Sequence, residues 1–525
     1  MNQQQSTLIG NVALVGYPED TLYSVLLREG KVESIRPSGE SVFQINGYTD
    51  VTVIDMKKED DDLRWVAPSL IDWHTHFRLN AITSHRYNLQ DCQSAKEVLD
   101  SVRYAINLPK YDVKYEINFV GVNMRNANWS DSEKLNRLSL DSISTERPIF
   151  LFFNGYHSMV VNTAALNLAN IDPNGPKSDG YFYEQEAFNM GKYTSNVKQD
   201  TLDLWIDEEA KKAAALGVTE VVDLEMDFNM SAWQRRSSKG SNWLRIHCGM
   251  YTEHLTNAIE SGYKTGDIVP NTNGLIAVGP YKIVTDGSLG SQTAFCHDHY
   301  PGTPDNFGLL AYDASTLYEM LERGIDNGFR LAVHAIGDHA NSFTLQTFNK
   351  LIKEKGKKPL EGSTIEHAQL LNFDDLDLFK ELGLIASIQP CHLIDDRELC
   401  SKFWPGRENR SYPFKSIIDK GIPIKMGSDC PIAPLQPWHA IAVAISRSSE
   451  NDSENPFCKE QIIDLKSAWE GSTSNGKSRI EVGDRADLII LPSNPFQLDA
   501  NQIRNLRPVG TMLGGNWTFK GFSSV

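Results

Sequence analysis

The amino-acid sequence predicts an α/β fold built from parallel βα units. Between residues 66 and 430, apolar runs with the length of strands alternate with stretches of helical periodicity such as 314–327 and 373–382. This alternation is expected where helices connect the parallel strands of one sheet. A chain of 525 residues is long enough to form one large barrel with additional domains.

Both ends of the chain have a different pattern, made of short β-like segments. These segments cover 8–15, 24–27 and 51–56 near the N-terminus, and 483–491 and 509–515 near the C-terminus. Strands this short, separated by turn residues, indicate a small β-sandwich. The two ends therefore differ in predicted structure from the middle of the chain.

The apolar run 66–73 ends in a pair of histidines, His74 and His76. Because successive side chains of a strand alternate between its faces, the two imidazoles are expected to point the same way. Neutral imidazole is the commonest protein ligand of zinc and related ions. Other polar residues at or near the ends of later apolar runs suit the same site: Lys282, His334, His367 and Asp429.

The order of these residues, an HxH pair followed by Lys, His, His and Asp, resembles the amidohydrolase superfamily. Three further blocks, 154–166, 180–184 and 285–291, match its amidohydrolase-3 branch, which includes N-substituted formamide deformylase. The segment 483–488 is similar to the superfamily's C-terminal Gly-x-x-Ala-Asp-Leu signature. The resemblance covers nearly the whole chain.

This resemblance implies a distorted TIM (β/α)8 barrel at residues 66–469. Residues 1–65 and 470–525 are expected to pair into one β-sandwich domain, and residues 77–212 are expected to form an insertion after barrel strand 1 that caps the active site. The family usually has glycine where this chain has Ser69. The expected barrel strands are 66–73, 218–223, 244–250, 279–285, 330–334, 364–367, 385–389 and 424–428.

The resemblance also implies a centre of divalent metal ions. Its expected ligands are His74, His76, Lys282, His334, His367 and Asp429. An ammonium group is a poor ligand, but a neutral lysine amine can react with carbon dioxide to form an anionic carbamate that bridges two ions, and burial makes the neutral amine accessible. The expected cofactor is therefore a pair of zinc ions bridged by carboxylated Lys282. The alternative is a single metal beside an unmodified Lys282.

Several residues are expected to act on the substrate. Asp429 is expected to move the proton as well as bind metal, and His392, in the Gln-Pro-x-His block, is expected to polarise the substrate carbonyl. His157 in the insertion, Gln389, and Asp396, which is placed to orient His392, are expected to bind substrate.

Two neighbours of the expected ligands are assigned no role at the metal. Glu366 precedes His367, and Cys430 follows Asp429. Because side chains alternate along a strand, both are expected to face away from the ions.

The function that the resemblance implies is hydrolysis of a carbon–nitrogen bond other than a peptide bond, in an N-acyl or N-formyl amide, by water that the metal activates. One alternative within the superfamily is a hydrolytic deaminase or a cyclic amidase. Another is a degenerate member that binds a ligand without turnover. The complete ligand set counts against this last alternative.

Charge and composition limit the partners. A net charge of −17 and a pI near 5.3 disfavour nucleic acid and anionic membranes, both of which favour a basic surface. Seven cysteines without a Cys-x-x-Cys motif indicate reduced thiols, and the sequence offers neither a signal peptide nor a long apolar span. We therefore expect a soluble cytoplasmic enzyme with a small-molecule substrate, and a homodimer is left open.

Overall fold

The structure, a computed structural model, describes residues 6–38, 51–59, 63–124, 129–153, 158–194, 197–450 and 455–522. The chain divides into two compact units. The first contains Met1–Phe77 and Ala210–Val525, and the second is the continuous segment Arg78–Glu209.

Both chain ends contribute to one sheet of the first unit. The strand Ser6–Leu14 pairs with Trp65–Pro68, which pairs in antiparallel fashion with Leu488–Leu491 near the C-terminus. Apolar side chains from both ends form a single buried cluster. The eight strands of this sheet are Ser6–Leu14, Tyr23–Arg28, Lys31–Pro37, Val51–Asp55, Trp65–Pro68, Leu488–Leu491, Gly510–Leu513 and Asn516–Lys520.

The remaining strands of the first unit form an eight-stranded parallel sheet that is nearly closed into a barrel. Each strand pairs with the next one along the chain, and helices lie between them. This arrangement confirms the predicted distorted TIM barrel. Its strands are Leu70–Thr75, Val218–Asp223, Arg245–Met250, Ile276–Val284, Leu331–Ala335, Thr364–His367, Ile385–Ile388 and Ile424–Met426.

The first barrel strand differs from its predicted range of 66–73. Trp65–Pro68 belongs to the terminal sheet, and the barrel strand is Leu70–Thr75. The break falls at Ser69, whose hydroxyl lies 2.6 Å from that of Thr219. A continuous apolar run hides such a change of sheet, because hydrophobicity does not tell which sheet a buried strand joins.

The helices of the first unit have ordinary end signals. Asp313 caps the helix Ala314–Asp326 by accepting a hydrogen bond from the Thr316 amide at 2.8 Å, and Gly356, at φ 67°, ends Asp338–Lys355. None of the described helices is both long enough and apolar enough to cross a membrane. The other helices are Met56–Glu59, Met230–Ser238, Thr252–Glu260, Leu376–Glu381, His392–Phe403, Phe414–Asp419, Pro437–Ser446, Leu465–Ser472 and Ala500–Asn505, and Gln199–Ala215 runs into this unit from the second.

The second unit, Arg78–Glu209, has a sheet of its own. Along the strand Ile149–Phe153, Ile149 and Leu151 pack into one apolar cluster while Phe150 and Phe152 pack into another, so both faces of the sheet are buried. The strands, in spatial order, are Tyr181–Tyr183, Ser158–Val161, Ile149–Phe153, Phe119–Met124 and Tyr87–Asn88. The helices of this segment are Phe77–Ser84, Ala95–Ala105, Arg137–Asp141, Thr163–Leu168 and Glu184–Gly191.

Candidate metal centre

The first and the last barrel strands bring three expected ligands together. Nε2 of His76 lies 3.1 Å from Oδ1 of Asp429, and Nε2 of His74 lies 3.4 Å from the same oxygen. One ligand atom from each residue falls within 4.8 Å of the other two, so a single ion can contact all three.

Backbone contacts across the seam of the barrel hold this group in place. The Asp429 amide donates to the His74 carbonyl at 2.7 Å, and Oδ1 of Asp72 accepts from the Ser428 amide at 2.9 Å. A Cβ at Gly427 would lie 2.6 Å from the His74 nitrogen, so only glycine allows the strands to approach this closely. Asp429 itself has φ 56°, a left-handed conformation that aspartate tolerates better than most residues.

A second group shares Asp429 and contains His367 and His392. The strand Thr364–His367 ends at His367, whose φ of 74° turns the chain sharply at the ligand. His392 is the first residue of the helix His392–Phe403, and its Nε2 lies 3.8 Å from Oδ2 of Asp429. The two oxygens of one carboxylate therefore face two different histidine groups.

Lys282 lies beside these groups in the fourth barrel strand. Its Nζ is 3.5 Å from Nε2 of His74, and its side chain is fully buried. Burial lowers the pKa of Lys282, although the charges of Glu366 and Asp429 oppose the shift. The environment therefore favours the neutral amine that carboxylation requires.

His334 has other contacts in this structure. Its ring centroid is 4.5 Å from that of His367, but its Nε2 lies 3.3 Å from Asp286 Oδ1 and 3.4 Å from the Gly287 carbonyl oxygen. Asp286, which the sequence reasoning missed, also accepts from the amide of Gly337 at 2.8 Å and so fixes the loop after the strand. Its position between Thr285 and Gly287, in a block that matches the amidohydrolase-3 branch, was the sequence feature that could have identified it.

Glu366 faces the centre, contrary to the alternation argument. Its Oε2 lies 2.6 Å from Nδ1 of His74, and Thr364 donates to its other oxygen. In a regular strand, Glu366 and His367 would point to opposite faces. The positive φ of His367 breaks this alternation, so that both side chains point toward the centre. Cys430 is buried and forms no disulfide, and its carbonyl accepts from the His76 amide at 2.9 Å.

The protonation states suit metal binding. Burial, with a contribution from Lys282, lowers the pKa of His74 to about 4, and burial and then His334 hold the pKa of His367 well below its ordinary value. Burial would raise the pKa of Asp429, but the surrounding histidines outweigh it and hold this pKa well below its usual range. Neutral imidazoles at His74 and His367 and an ionised carboxylate at Asp429 are the forms that bind metal, whereas at His76 the contact with Asp429 outweighs burial and raises the pKa.

Unpaired buried atoms provide a test of whether metal fits. Among the described residues, three polar atoms near the centre have no hydrogen-bond partner: Nδ1 of His367, Nε2 of His392 and Oε1 of Gln389. Such atoms cost about 1–3 kcal/mol each when they stay unpaired. Histidine nitrogens and a carboxylate are a donor set that suits zinc and similar divalent ions, so the residues fit a metal centre.

The expected substrate residues lie in different places. Gln389 is buried with its Nε2 3.5 Å from Nδ1 of His74. Asp396 accepts from Gln369 at 2.8 Å and from Tyr412 at 2.7 Å, so its hydrogen bonds in the described part of the chain do not go to His392. His157 lies outside the described residues.

Known proteins and a family profile match this chain over most of its length. The sequence profile of the amidohydrolase family matches residues 64–519. The chain is 24% identical over 484 residues to YtcJ of Bacillus subtilis (strain 168), covering 86% of this chain and 88% of that protein. It is 22% identical over 559 residues to N-substituted formamide deformylase of Arthrobacter pascens, covering 98% of each protein.

A solved structure shares the fold. The crystal structure of an uncharacterized metal-dependent hydrolase from Pyrococcus horikoshii OT3 aligns with a TM-score of 0.78 at 21% identity, and the alignment covers 95% of this chain and 99% of that one. The family profile spans most of the chain, and the barrel brings a histidine and carboxylate centre to the ends of its strands. The protein therefore belongs to the amidohydrolase family and is a metal-dependent hydrolase of that superfamily.

Proposed function

We propose that the protein hydrolyses a carbon–nitrogen bond outside peptides, in a small N-acyl or N-formyl amide. The observation that carries the proposal is the position of Asp429 between two histidine groups, with Oδ1 3.1 Å from His76 and Oδ2 3.8 Å from His392. Amide hydrolysis needs a proton to leave the attacking water and another to reach the departing nitrogen. A carboxylate that reaches both sides can perform both transfers.

The proposed cofactor is a pair of zinc ions bridged by carboxylated Lys282. His74, His76 and Asp429 would hold one ion, and His367 with His334 would hold the other. Because His392 is grouped with His367, it is an alternative to His334 as a ligand of the second ion. Such ions, when bound, polarise a carbonyl oxygen and lower the pKa of water to about 7. The buried Lys282 amine, 3.5 Å from His74, supports the bridging carbamate.

His392 is the proposed donor to the substrate carbonyl. Its Nε2 is buried and unpaired among the described residues, so it is available to an incoming oxygen. In the tetrahedral state that oxygen gains negative charge, and a donor already fixed in position stabilises it. Gln389, Asp396 and His157 remain proposed substrate contacts, and the insertion remains the proposed cap.

The substrate class is supported by the similarity to N-substituted formamide deformylase along almost the full length of both chains. A deaminase or cyclic amidase would use the same barrel, but a deaminase typically employs one metal and no bridging lysine. A member that binds ligand without turnover would not need Asp429, His74 and His76 in contact.

A substrate screen combined with metal analysis tests the proposal. N-formyl amines, N-acyl amines, cyclic amides and aminopurines are offered to the zinc-loaded protein, with release of amine or ammonia as the measurement. We expect amine release from the N-formyl or N-acyl amines and two zinc equivalents per chain. Ammonia release from aminopurines with one equivalent would establish the deaminase instead, and the Asp429→Asn protein serves as the matched inactive control.

A further inference from the structure

The barrel contains a second polar space below the metal centre. A cavity of about 250 Å³ is lined by strand residues that come earlier along the chain direction of each strand than the metal ligands do. Seven of the eight barrel strands contribute to it, and Arg330 contributes from the position just before the remaining strand, Leu331–Ala335. The lumen of a TIM barrel is normally filled by packed side chains, so an open polar space there is a departure from the fold's usual interior. Its charged and aromatic lining consists of Trp73, Glu220, His247, Arg330, Glu366, Lys425 and Arg485.

Both carboxylates of this cavity already have partners. Glu220 accepts from His247 Nε2 at 2.5 Å and also forms an ion pair with Arg485. Glu366 contacts His74 Nδ1 at 2.6 Å and accepts from Thr364. The negative charges facing the cavity are therefore compensated by groups that do not include Arg330 or Lys425.

Two other cations of the lining have no carboxylate within ion-pair distance among the residues that the structure describes. In the described parts of the chain, neither the Lys425 ammonium nor the Arg330 guanidinium makes a hydrogen bond or an ion pair, and Nζ of Lys425 lies 3.6 Å from the centroid of the Trp73 ring. Burial lowers the pKa of Lys425 to about 8; Glu366 and Glu220 oppose the shift, and the charge of Arg330 adds to it. Because no described carboxylate lies within ion-pair distance of either cation, most of their donors are left for water or a bound anion.

We propose that this cavity binds a small oxyanion of the phosphate class between Lys425 and Arg330. Lysine supplies a point charge with three donors, and arginine supplies a planar fork that matches two oxygens. The bound anion compensates both cations. Its site is separate from the substrate site, because the cavity lining contains none of the expected metal ligands and meets one of them only through the contact of Glu366 with His74.

Inorganic phosphate tests the site by calorimetric titration of the metal-loaded protein, with chloride keeping the ionic strength constant. We expect saturable binding of one phosphate that weakens roughly ten-fold or more in Lys425→Met and in Arg330→Gln, because each change removes charged donors. Lys425→Arg should bind within a few-fold of the parent, since it keeps the charge. The matched control is Lys420→Met, which removes an exposed lysine that pairs with Asp377 outside the cavity.

The two variants distinguish this site from phosphate bound to the metal ions. Binding that is equal in the parent, Lys425→Met and Arg330→Gln would place the anion at the metal centre and overturn the proposal, as would the absence of saturable binding. Arg330 is exposed, so Arg330→Gln is expected to fold even if Lys425→Met does not, and circular dichroism checks both.

Discussion

The two ends of the barrel lumen have opposite chemistry. At the ends of the strands, His74 and His76 converge on the ionised carboxylate of Asp429, a set that attracts cations. Farther back in the barrel, Lys425 and Arg330 face a cavity whose two carboxylates, Glu220 and Glu366, are held by other partners. The comparison shows that one barrel interior can be divided between a cation site and an anion site by the order of residues along each strand.

The largest expected effect is at the cation end. His74→Ala or His76→Ala removes a ligand nitrogen, so metal and activity should be lost together, as measured by metal analysis after gel filtration and by turnover. His254→Ala, at a half-buried histidine outside both candidate metal-binding groups, is the control and should keep its metal. Full metal content in both ligand variants would refute the assignment of the first barrel strand.

The next effect separates chemistry from binding. Asp429→Asn keeps an oxygen that can coordinate but cannot accept a proton, so turnover should fall by about 10²-fold to 10⁴-fold while most of the metal remains. Activity and metal content are measured on the same purified sample. If the metal-loaded variant works within a few-fold of the parent, the proton must be moved by another residue, and His392 is the first to test.

Lys282→Ala tests the proposed bridge. Without the carbamate the second ion should be lost, and short carboxylic acids should restore part of the activity because their oxygens replace those of the carbamate. The measurements are zinc equivalents and turnover with and without added acetate or propionate. Normal metal content without rescue would favour the single-metal alternative.

A smaller effect is expected for Glu366, which lines the cavity and also contacts the metal ligand His74. Glu366→Gln keeps its size but removes the charge that orients His74, so zinc affinity should fall by about 10-fold to 100-fold, as measured by competition with a chelator. The loss is smaller than for His74→Ala because the ligand nitrogen remains. Glu381→Gln, at an exposed helix end, should leave the affinity unchanged. An unchanged affinity in Glu366→Gln would mean that the contact is only structural.

The smallest effect concerns stability at the anion end. Burial would raise the pKa of Glu220, but His247 and Arg485 lower it to about 2 from 4.5, so its ionised form stabilises the fold above about pH 4.5 and that contribution is lost as the pH falls toward 2. Glu220→Gln should therefore reduce the free energy of unfolding by about 1–3 kcal/mol at pH 7, as urea denaturation measures it.

The same difference between parent and Glu220→Gln should shrink at pH 3. Glu481→Gln, at an exposed ion pair with Lys477, is the control and should change little at either pH. A difference that stays constant with pH would show that the ion pair does not stabilise the fold.

Much of the cation end could be predicted from sequence, because each ligand stands next to an apolar run and the order of residue types is distinctive. Glu366 could not, since strand alternation excludes it unless the positive φ of His367 is known. The break at Ser69 was also invisible, because one continuous apolar run contains strands of two different sheets. The anion end left no local signal, since its lining comes from seven strands and from loop residues at separate places in the chain.

The seam of the barrel limits when the centre can form. The Asp72 carboxylate accepts from the Ser428 amide, and the two residues are 356 positions apart in sequence. The ligands His74 and His76 are separated from Asp429 by almost the same length of chain. During synthesis, His74 and His76 leave the ribosome long before Asp429 is added to the chain. A growing chain therefore cannot assemble this ligand set, and metal uptake by the full set has to follow the docking of the last barrel strand.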